Sequence, residues 1–301
     1  MLKLGFFSAI LPDLSLEQVL AFAAEQRVAV VELAAWPHQK AERRYAGVTH
    51  VDVDKLADAR KALSGSGVRC SALGYYPNLL SPDPAEATLA REHLPRVLHA
   101  AAELGIDLVN TFLGRDPRRS VEDNLKLVGD VWPPLLELAG KLRVRIGIEN
   151  CPMWFTADEW PGGKNLMTTP ALWRTVFTQL NAPHLGLNYD PSHFAWMRMD
   201  YLKPLRHFTD RLFHIHAKDV RVDLDLFDEH GPMAHPLTYH RPKLPGLGDI
   251  HWGRFFSVLT DVGYAGAVCV EVEDRAYEGS LDDRKAAIAQ SLRYLRNVCP
   301  A

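Results

Sequence analysis

The feature that most constrains this chain is a repeated change of period. Short apolar runs with the two-residue alternation of a strand are each followed by a segment with helical spacing, and the pair recurs along the whole length. Strands are predicted over residues 3–10, 29–35, 69–75, 107–113, 144–150, 184–190, 212–219 and 267–273. Helices are predicted over 15–27, 54–63, 84–104, 120–142, 170–180, 201–210, 252–262 and 281–298. Ser15 and Gln18 form a capping-box pattern at the start of the first helix. Gly105 closes the third helix. Pro95 is expected to kink or break that helix, and Pro133 with Pro134 to divide the fourth. Eight strand–helix units in 301 residues are the arithmetic of a single (β/α)8 TIM barrel, an α/β fold, spanning 1–301. The competing fold, an open doubly wound sheet, is disfavoured because no G-x-G-x-x-G follows the first strand and no Walker A pattern occurs.

Composition narrows the class. At 47% hydrophobic and 24% charged the chain has material for a core and an ordinary surface. Its net charge of −3 offers no basic excess for nucleic acid. No apolar run approaches the ~20 residues of a membrane span. The first ten residues lack the grammar of a signal peptide. Cys70, Cys151, Cys269 and Cys299 are far apart and form no C-x-x-C pair, which fits a reducing cytoplasm.

Two connections exceed the usual ~2–6 residues of a βα loop. One, residues 151–169 after strand five, carries Trp154, Phe155 and Trp160. The other, 220–250 after strand seven, carries His230, His235, Tyr239, His240 and Arg241. Both leave the strand C-termini, the face where barrel enzymes keep their chemistry, and are read as candidate lids against a plainer reading as surface padding.

The chemical signal lies at the ends of strands five to eight. Strand alternation puts Ile146, Ile148, Phe213, Ile215, Val268 and Val270 on the helix side. Glu149, His214, His216, Lys218, Cys269, Glu271 and Glu273 then point into the barrel, and Asp190 ends strand six. Glu149, Asp190, His216 and Glu271 therefore aim three carboxylates and an imidazole at one spot. Such carboxylates repel one another and are costly to desolvate. A divalent cation resolves the conflict. The oxygen-rich set suits Mn²⁺ first, with Mg²⁺, Co²⁺, Fe²⁺ or Zn²⁺ compatible. The alternative is salt bridging to nearby Lys and Arg.

The motifs GIEN at 147–150, NYDPSH at 188–193, HIHAKD at 214–219, PGLGDIHW at 245–252 and VEVED at 270–274 together resemble the xylose-isomerase-like barrel superfamily of sugar phosphate isomerases and epimerases. The resemblance implies a metal held by Glu149, Asp190, His216 and Glu271. It also implies that Glu149 and Glu271 serve as acid and base on opposite sides of the substrate, as in ketose 3-epimerase-like members. His251 stands where such barrels usually carry an acid or amide, and is read as a helix cap. Barrels of this type often form dimers or tetramers, so a homo-oligomer is expected by resemblance.

The expected chemistry is proton abstraction beside a carbonyl through a metal-stabilised enediolate. Return of the proton to the opposite face of the same carbon gives an epimerase, and to the neighbouring carbon an isomerase. Loss of water from the same enediolate gives a dehydratase of a keto-sugar or keto-inositol. Other candidates for contacting a small sugar or polyol are weighed against plainer roles. His193 can reach a substrate hydroxyl or a second metal. Lys218 can polarise a carbonyl or neutralise a carboxylate. Glu32 ends strand two on its inward face, and Trp36 and His38 follow it, placed either for stacking on a sugar or for packing. Arg241 can grip a phosphate, although a solvated loop charge is the plainer reading. Asn110 points inward, and His214 reads as a satisfied inner-layer residue. An abasic-site endonuclease of this superfamily needs further histidines on strands three and four and an Asp-x-His after strand seven, and this chain has neither. A non-catalytic sugar-binding barrel has no need of two opposed glutamates.

Overall fold

The expected stop and start signals act where the sequence puts them. Ser15 accepts from the Gln18 amide while the Gln18 side chain takes the Ser15 N–H, so the capping box closes at the first helix. Pro84, Pro170 and Pro191 occupy first-turn positions, where a missing N–H costs nothing. His251 caps its helix as expected, accepting from the Arg254 amide at 3.2 Å.

The computed structural model describes residues 2–38, 47–154 and 163–300, so Phe155 and Trp160 of the first long loop lie outside the described residues. The elements run β1 (Lys3–Phe6), α1 (Leu16–Glu25), β2 (Val30–Ala34), α2 (Leu56–Ser66), β3 (Arg69–Gly74), α3 (Pro84–Glu103), β4 (Leu108–Thr111), α4 (Val121–Leu142), β5 (Arg145–Glu149), α5 (Pro170–Leu180), β6 (Leu185–Tyr189), α6 (Pro191–Trp196) and α7 (Lys203–His207). They continue with β7 (Leu212–Ala217), β8 (Asp219–Val222), α8 (Leu224–His230), β9 (His240–Lys243), α9 (Trp252–Asp261), β10 (Ala267–Val270) and α10 (Leu281–Arg296).

Eight parallel strands form one sheet in the order β1-β10-β7-β6-β5-β4-β3-β2. A parallel bridge between Phe7 and Glu32 joins its two edges, which closes the sheet into a barrel. The expected (β/α)8 architecture is therefore present, with β10 as its eighth strand. Parallel strands covered by helices are buried on both faces. Ile146, Ile148, Leu185, Leu187, Ile215, Val268 and Val270 are all buried in the core. The helix layer is keyed to them by Trp132, Trp173 and Trp252, each fully buried.

Three expectations need correction. Pro95 does not break α3, and Pro133 with Pro134 does not divide α4. Buried anchors on both sides outweigh the lost backbone bonds: His93 reaches the Ala35 carbonyl at 2.9 Å beside Pro95, and Trp132 donates to the Leu113 carbonyl at 3.1 Å beside Pro133. The second long connection is not loop throughout. It folds back as an antiparallel hairpin of β8 and β9, with α8 at its tip. Finally, α6 follows β6 directly, where no helix was expected.

Trp173 shows how much the outer layer contributes. Its ring meets Tyr189, Phe194 and Phe208, and its N–H donates to the Met167 carbonyl at 2.8 Å. Truncation to alanine leaves a large cavity and orphans that carbonyl. Trp173→Ala is expected to lower unfolding stability by ~3–5 kcal/mol in urea titrations.

Candidate active site

The C-terminal ends of β5, β6, β7 and β10 converge as strand alternation requires. Glu149 leaves β5, Asp190 caps α6 just past β6, His216 and Lys218 come from β7 and its extension, and Glu271 and Glu273 follow β10. His216 Nδ1 lies 3.5 Å from Glu271 and 3.8 Å from Glu149, and the three ligand atoms sit within 4.8 Å of one another. Asp190 stands outside that trio. Its Oδ2 is 3.0 Å from Lys218 Nζ and 3.3 Å from His193 Nε2.

Lys218 takes the neutralising role weighed for it. Its buried ammonium donates to Glu271 at 2.7 Å and also lies 3.0 Å from Glu273 and from Asp190. Burial alone would lower the lysine's proton affinity, but these carboxylates raise it well above its ordinary value. His193 and His216 are likewise driven up against the cost of burial. The charges of Glu271 and Glu32 act on His216; Cys151 and Asp190 are the main raising partners of His193. Burial would raise Glu149, yet the neighbouring imidazoles of His193 and His216 hold it at about 2. Glu273 moves the other way: burial and the neighbouring Glu271 raise it despite Lys218.

The charge balance tests whether a metal belongs here. Glu32, Glu149, Asp190, Glu271 and Glu273 face one ammonium and the imidazoles of His193 and His216. With all five carboxylates ionised and both imidazoles protonated, two negative charges are left over, and one remains if Glu273 holds a proton. Moreover, His216 Nδ1 and His193 Nε2 are buried and lie 3.3–3.8 Å from the surrounding carboxylates, without a well-formed hydrogen bond among the described residues. Imidazole nitrogens without a close partner beside surplus carboxylate charge make a donor set for a divalent cation, which would take the place of the imidazole protons. The residues fit such a group.

A cavity of about 520 Å³ opens beside this cluster. Its wall includes Cys151, Trp154, His193, Trp196, Lys218, His240 and Glu273. Glu149, His216 and Glu271 are not part of that wall, and Lys218 joins it to the cluster through its bond to Glu271. One side is aromatic. Trp196 stacks on His240 with centroids 5.0 Å apart and packs against Trp154 at 5.4 Å.

Of the residues expected to contact substrate, His193 and Lys218 line this cavity and four do not. Glu32 points inward but is fully buried beneath His216, 2.7 Å from its Nε2. Trp36 is packed among Phe7, Tyr75 and Tyr76. The His38 side chain is 66% exposed and pairs with Asp52. Arg241 faces solvent, because in the hairpin it pairs with Arg221 while Val220 and Val222 turn inward. Asn110 donates to Glu32 at 3.1 Å. His214 is satisfied by Asn188 and Ser71, as expected. Glu273 and His240, read from sequence only as an inward-facing residue and a loop residue, also line the cavity, as do Cys151 and Trp196. The inward register of Glu273 after Glu271 was the available signal for the first.

The model of the xylose isomerase-like TIM barrel family matches residues 20–298. The uncharacterized protein YfiH of Bacillus subtilis (strain 168) is 28% identical over 91% of this chain and 93% of its own length. An inosose dehydratase of Clostridium tetani is 30% identical over 29% of this chain, and the chain spans only 30% of that relative. Among solved structures, IOLI protein with a bound zinc atom aligns at a TM-score of 0.74, with 16% identity and coverage of 99% of this chain and 100% of that one. The 3-keto-D-glucoside 4-epimerase YcjR of E. coli aligns at 0.72, with 18% identity and the same coverages.

The cavity wall carries a pH signature. Burial depresses His240 to about 3, although its bond to the Pro236 carbonyl opposes the shift. The unfolded chain binds a proton there near pH 6.5 and the native chain does not, so stability is full above that pH and declines as pH falls towards 3. In His240→Gln, denaturation midpoints measured between pH 4 and 6.5 are expected to fall less steeply, by up to ~1.4 kcal/mol per pH unit; an unchanged slope would show that His240 titrates freely in the native state. The strand order, the closed barrel and the matched model lead to one statement: this chain belongs to the xylose isomerase-like TIM barrel family.

Proposed function

We propose that this chain is a divalent-metal-dependent isomerase or epimerase that moves a proton beside a carbonyl of a sugar or related keto-polyol. The observation that carries the reading is the approach of Glu149 and Glu271, from separate strands, to the buried Nδ1 of His216 in a site with surplus negative charge. The sugar epimerase and zinc-containing structures that share the fold support it.

Glu149, Asp190, His216 and Glu271 would hold the cation. When bound, it supplies Lewis-acid stabilisation of the negative charge that develops as a C–H bond next to a carbonyl breaks. The chain's own residues do the rest. Glu149 and Glu271 arrive from β5 and β10, so a substrate between them presents opposite faces to the two carboxylates. One removes the proton and the other returns one. Lys218 keeps Glu271 oriented through its 2.7 Å bond. His193, with Nε2 3.4 Å from Glu149, stands where a substrate hydroxyl would enter from the cavity. Trp154 and Trp196 offer an aromatic wall to the C–H face of a ring and exclude water. The four free cysteines support a reducing compartment such as the cytoplasm.

A second reading is dehydration of a keto-inositol or keto-sugar at the same centre. It is favoured by the similarity to inosose dehydratase and by Glu273, whose raised proton affinity beside the cavity suits handing a proton to a departing hydroxyl. Mass separates the two, since dehydration removes water and isomerisation does not.

Two measurements test the proposal. With ketoses, 3-keto-glycosides and inososes in deuterated water, Glu149→Gln and Glu271→Gln are each expected to reduce solvent exchange of a substrate C–H by roughly 10²–10⁴-fold. Full turnover by both variants on the substrate used by the unaltered chain would remove their acid–base roles. Chelation is expected to abolish activity and added Mn²⁺ to restore it; activity indifferent to chelator would sink the metal.

A further inference from the structure

Beneath the proposed metal centre lies a buried polar chain of which the mechanism above makes no use. Glu32 is fully buried and accepts three hydrogen bonds. Tyr76 donates to its Oε1 at 2.5 Å and Asn110 to the same oxygen at 3.1 Å. His216 Nε2 meets Oε2 at 2.7 Å. Asn188 in turn donates to Tyr76 at 3.0 Å and accepts from His214.

A carboxylate only accepts, so the hydrogen of that short contact belongs to His216 Nε2. In the neutral ring that a cation would require, the other nitrogen, Nδ1, then carries the lone pair, and it is the atom that faces Glu149 and Glu271. Packing prevents the ring from turning over: Phe7 stacks on it with centroids 5.7 Å apart, and Tyr76 borders it. The barrel makes room for the arrangement with glycines. A Cβ at Gly74 would lie 2.8 Å from Glu32 Oε1, and one at Gly147 would lie 2.5 Å from Asn110 Oδ1.

We infer that Glu32 is a positioning residue: by accepting from His216 Nε2 it fixes the imidazole tautomer and turns the Nδ1 lone pair toward the cation held by Glu149 and Glu271. The inference rests on the metal-centre reading and extends it. It commits His216 to binding through Nδ1, and it moves Glu32 from contact with substrate to control of a ligand. A carboxylate behind a ligating imidazole fixes its orientation and makes it more basic, an effect commonly worth roughly 10–100-fold in metal affinity. Tyr76 and Asn110 complete the device. Both donate to one oxygen, so a glutamine at position 32 would keep its carbonyl there and turn its NH₂ toward His216. The imidazole would then offer Nε2 as acceptor and carry its hydrogen on the metal side.

Two arms test this on the full chain. Metal-free protein and Glu32→Gln are titrated with Mn²⁺ or Co²⁺ in a calorimeter, and the variant is expected to bind roughly 10–100-fold more weakly. Equal affinity in a folded variant overturns the assignment. The second arm uses the unaltered chain loaded with cadmium and isotope-labelled at histidine. By NMR, the resonance lost in His216→Gln is expected to show metal coupling on Nδ1 and a hydrogen on Nε2. Coupling on Nε2 overturns the inference even if Glu32→Gln does not fold. Failure of the unaltered chain to take up any of these ions strikes the metal centre itself. Uptake with the wrong nitrogen bound, or with unchanged variant affinity, strikes Glu32 alone.

Discussion

Unbalanced negative charge in a closed cylinder governs this protein. Carboxylates from β2 and β5 and from the stretches after β6 and β10 are gathered around His193, His216 and Lys218, and burial denies most of them water. An isolated buried carboxylate would give up its charge by taking a proton. Here Glu149 and Asp190 are instead held ionised, because Lys218, His193 and His216 are threaded among them. The three cationic groups reduce the imbalance without removing it. The closed parallel sheet makes such crowding possible, since only strands converging at one rim deliver acids from so many separate stretches of sequence to one point.

The barrel and its inward-facing acids were legible because strand alternation is local. Once residues 145–149, 212–217 and 267–270 are strands, the side on which Glu149, His216 and Lys218 emerge follows from parity, and Glu271 continues the register of β10. What alternation cannot supply is depth and distance across the barrel. Glu32 shares the inward face but sits a layer lower, and its meeting with His216 spans 184 positions of sequence. The hairpin that carries Arg241 escaped sequence reasoning for a related reason. Its strands are four residues each, one contains Pro242, and such fragments give no periodic signal above that of a loop. The prolines of α3 and α4 were read by local propensity, whereas buried anchors on either side decided the outcome.

The cavity lies off the barrel axis, against the hairpin and α6 rather than over the centre of the strands. Family membership therefore says less about the substrate than this wall does. The same cluster of acids can serve several proton transfers, and a barrel can host many chemistries. Here the aromatic surface of Trp154, Trp196 and His240 is supplied entirely by connecting segments. The cavity wall and the acid cluster are thus built from different parts of the chain, touching at His193 and Lys218.

Asp219 gives that separation a mechanical basis. Its buried carboxylate accepts from the Val220 amide where the hairpin departs, and from the Gly246 and Ile250 amides and the Trp252 indole where the chain returns. One side chain thus clasps both ends of the insertion and ties them to the residue next to Lys218. The segment behaves as a cassette with a single lock. Most of the hairpin's own contents lie outside those four bonds, so the segment that shapes one wall of the cavity is anchored at a point beside Lys218 rather than along its length.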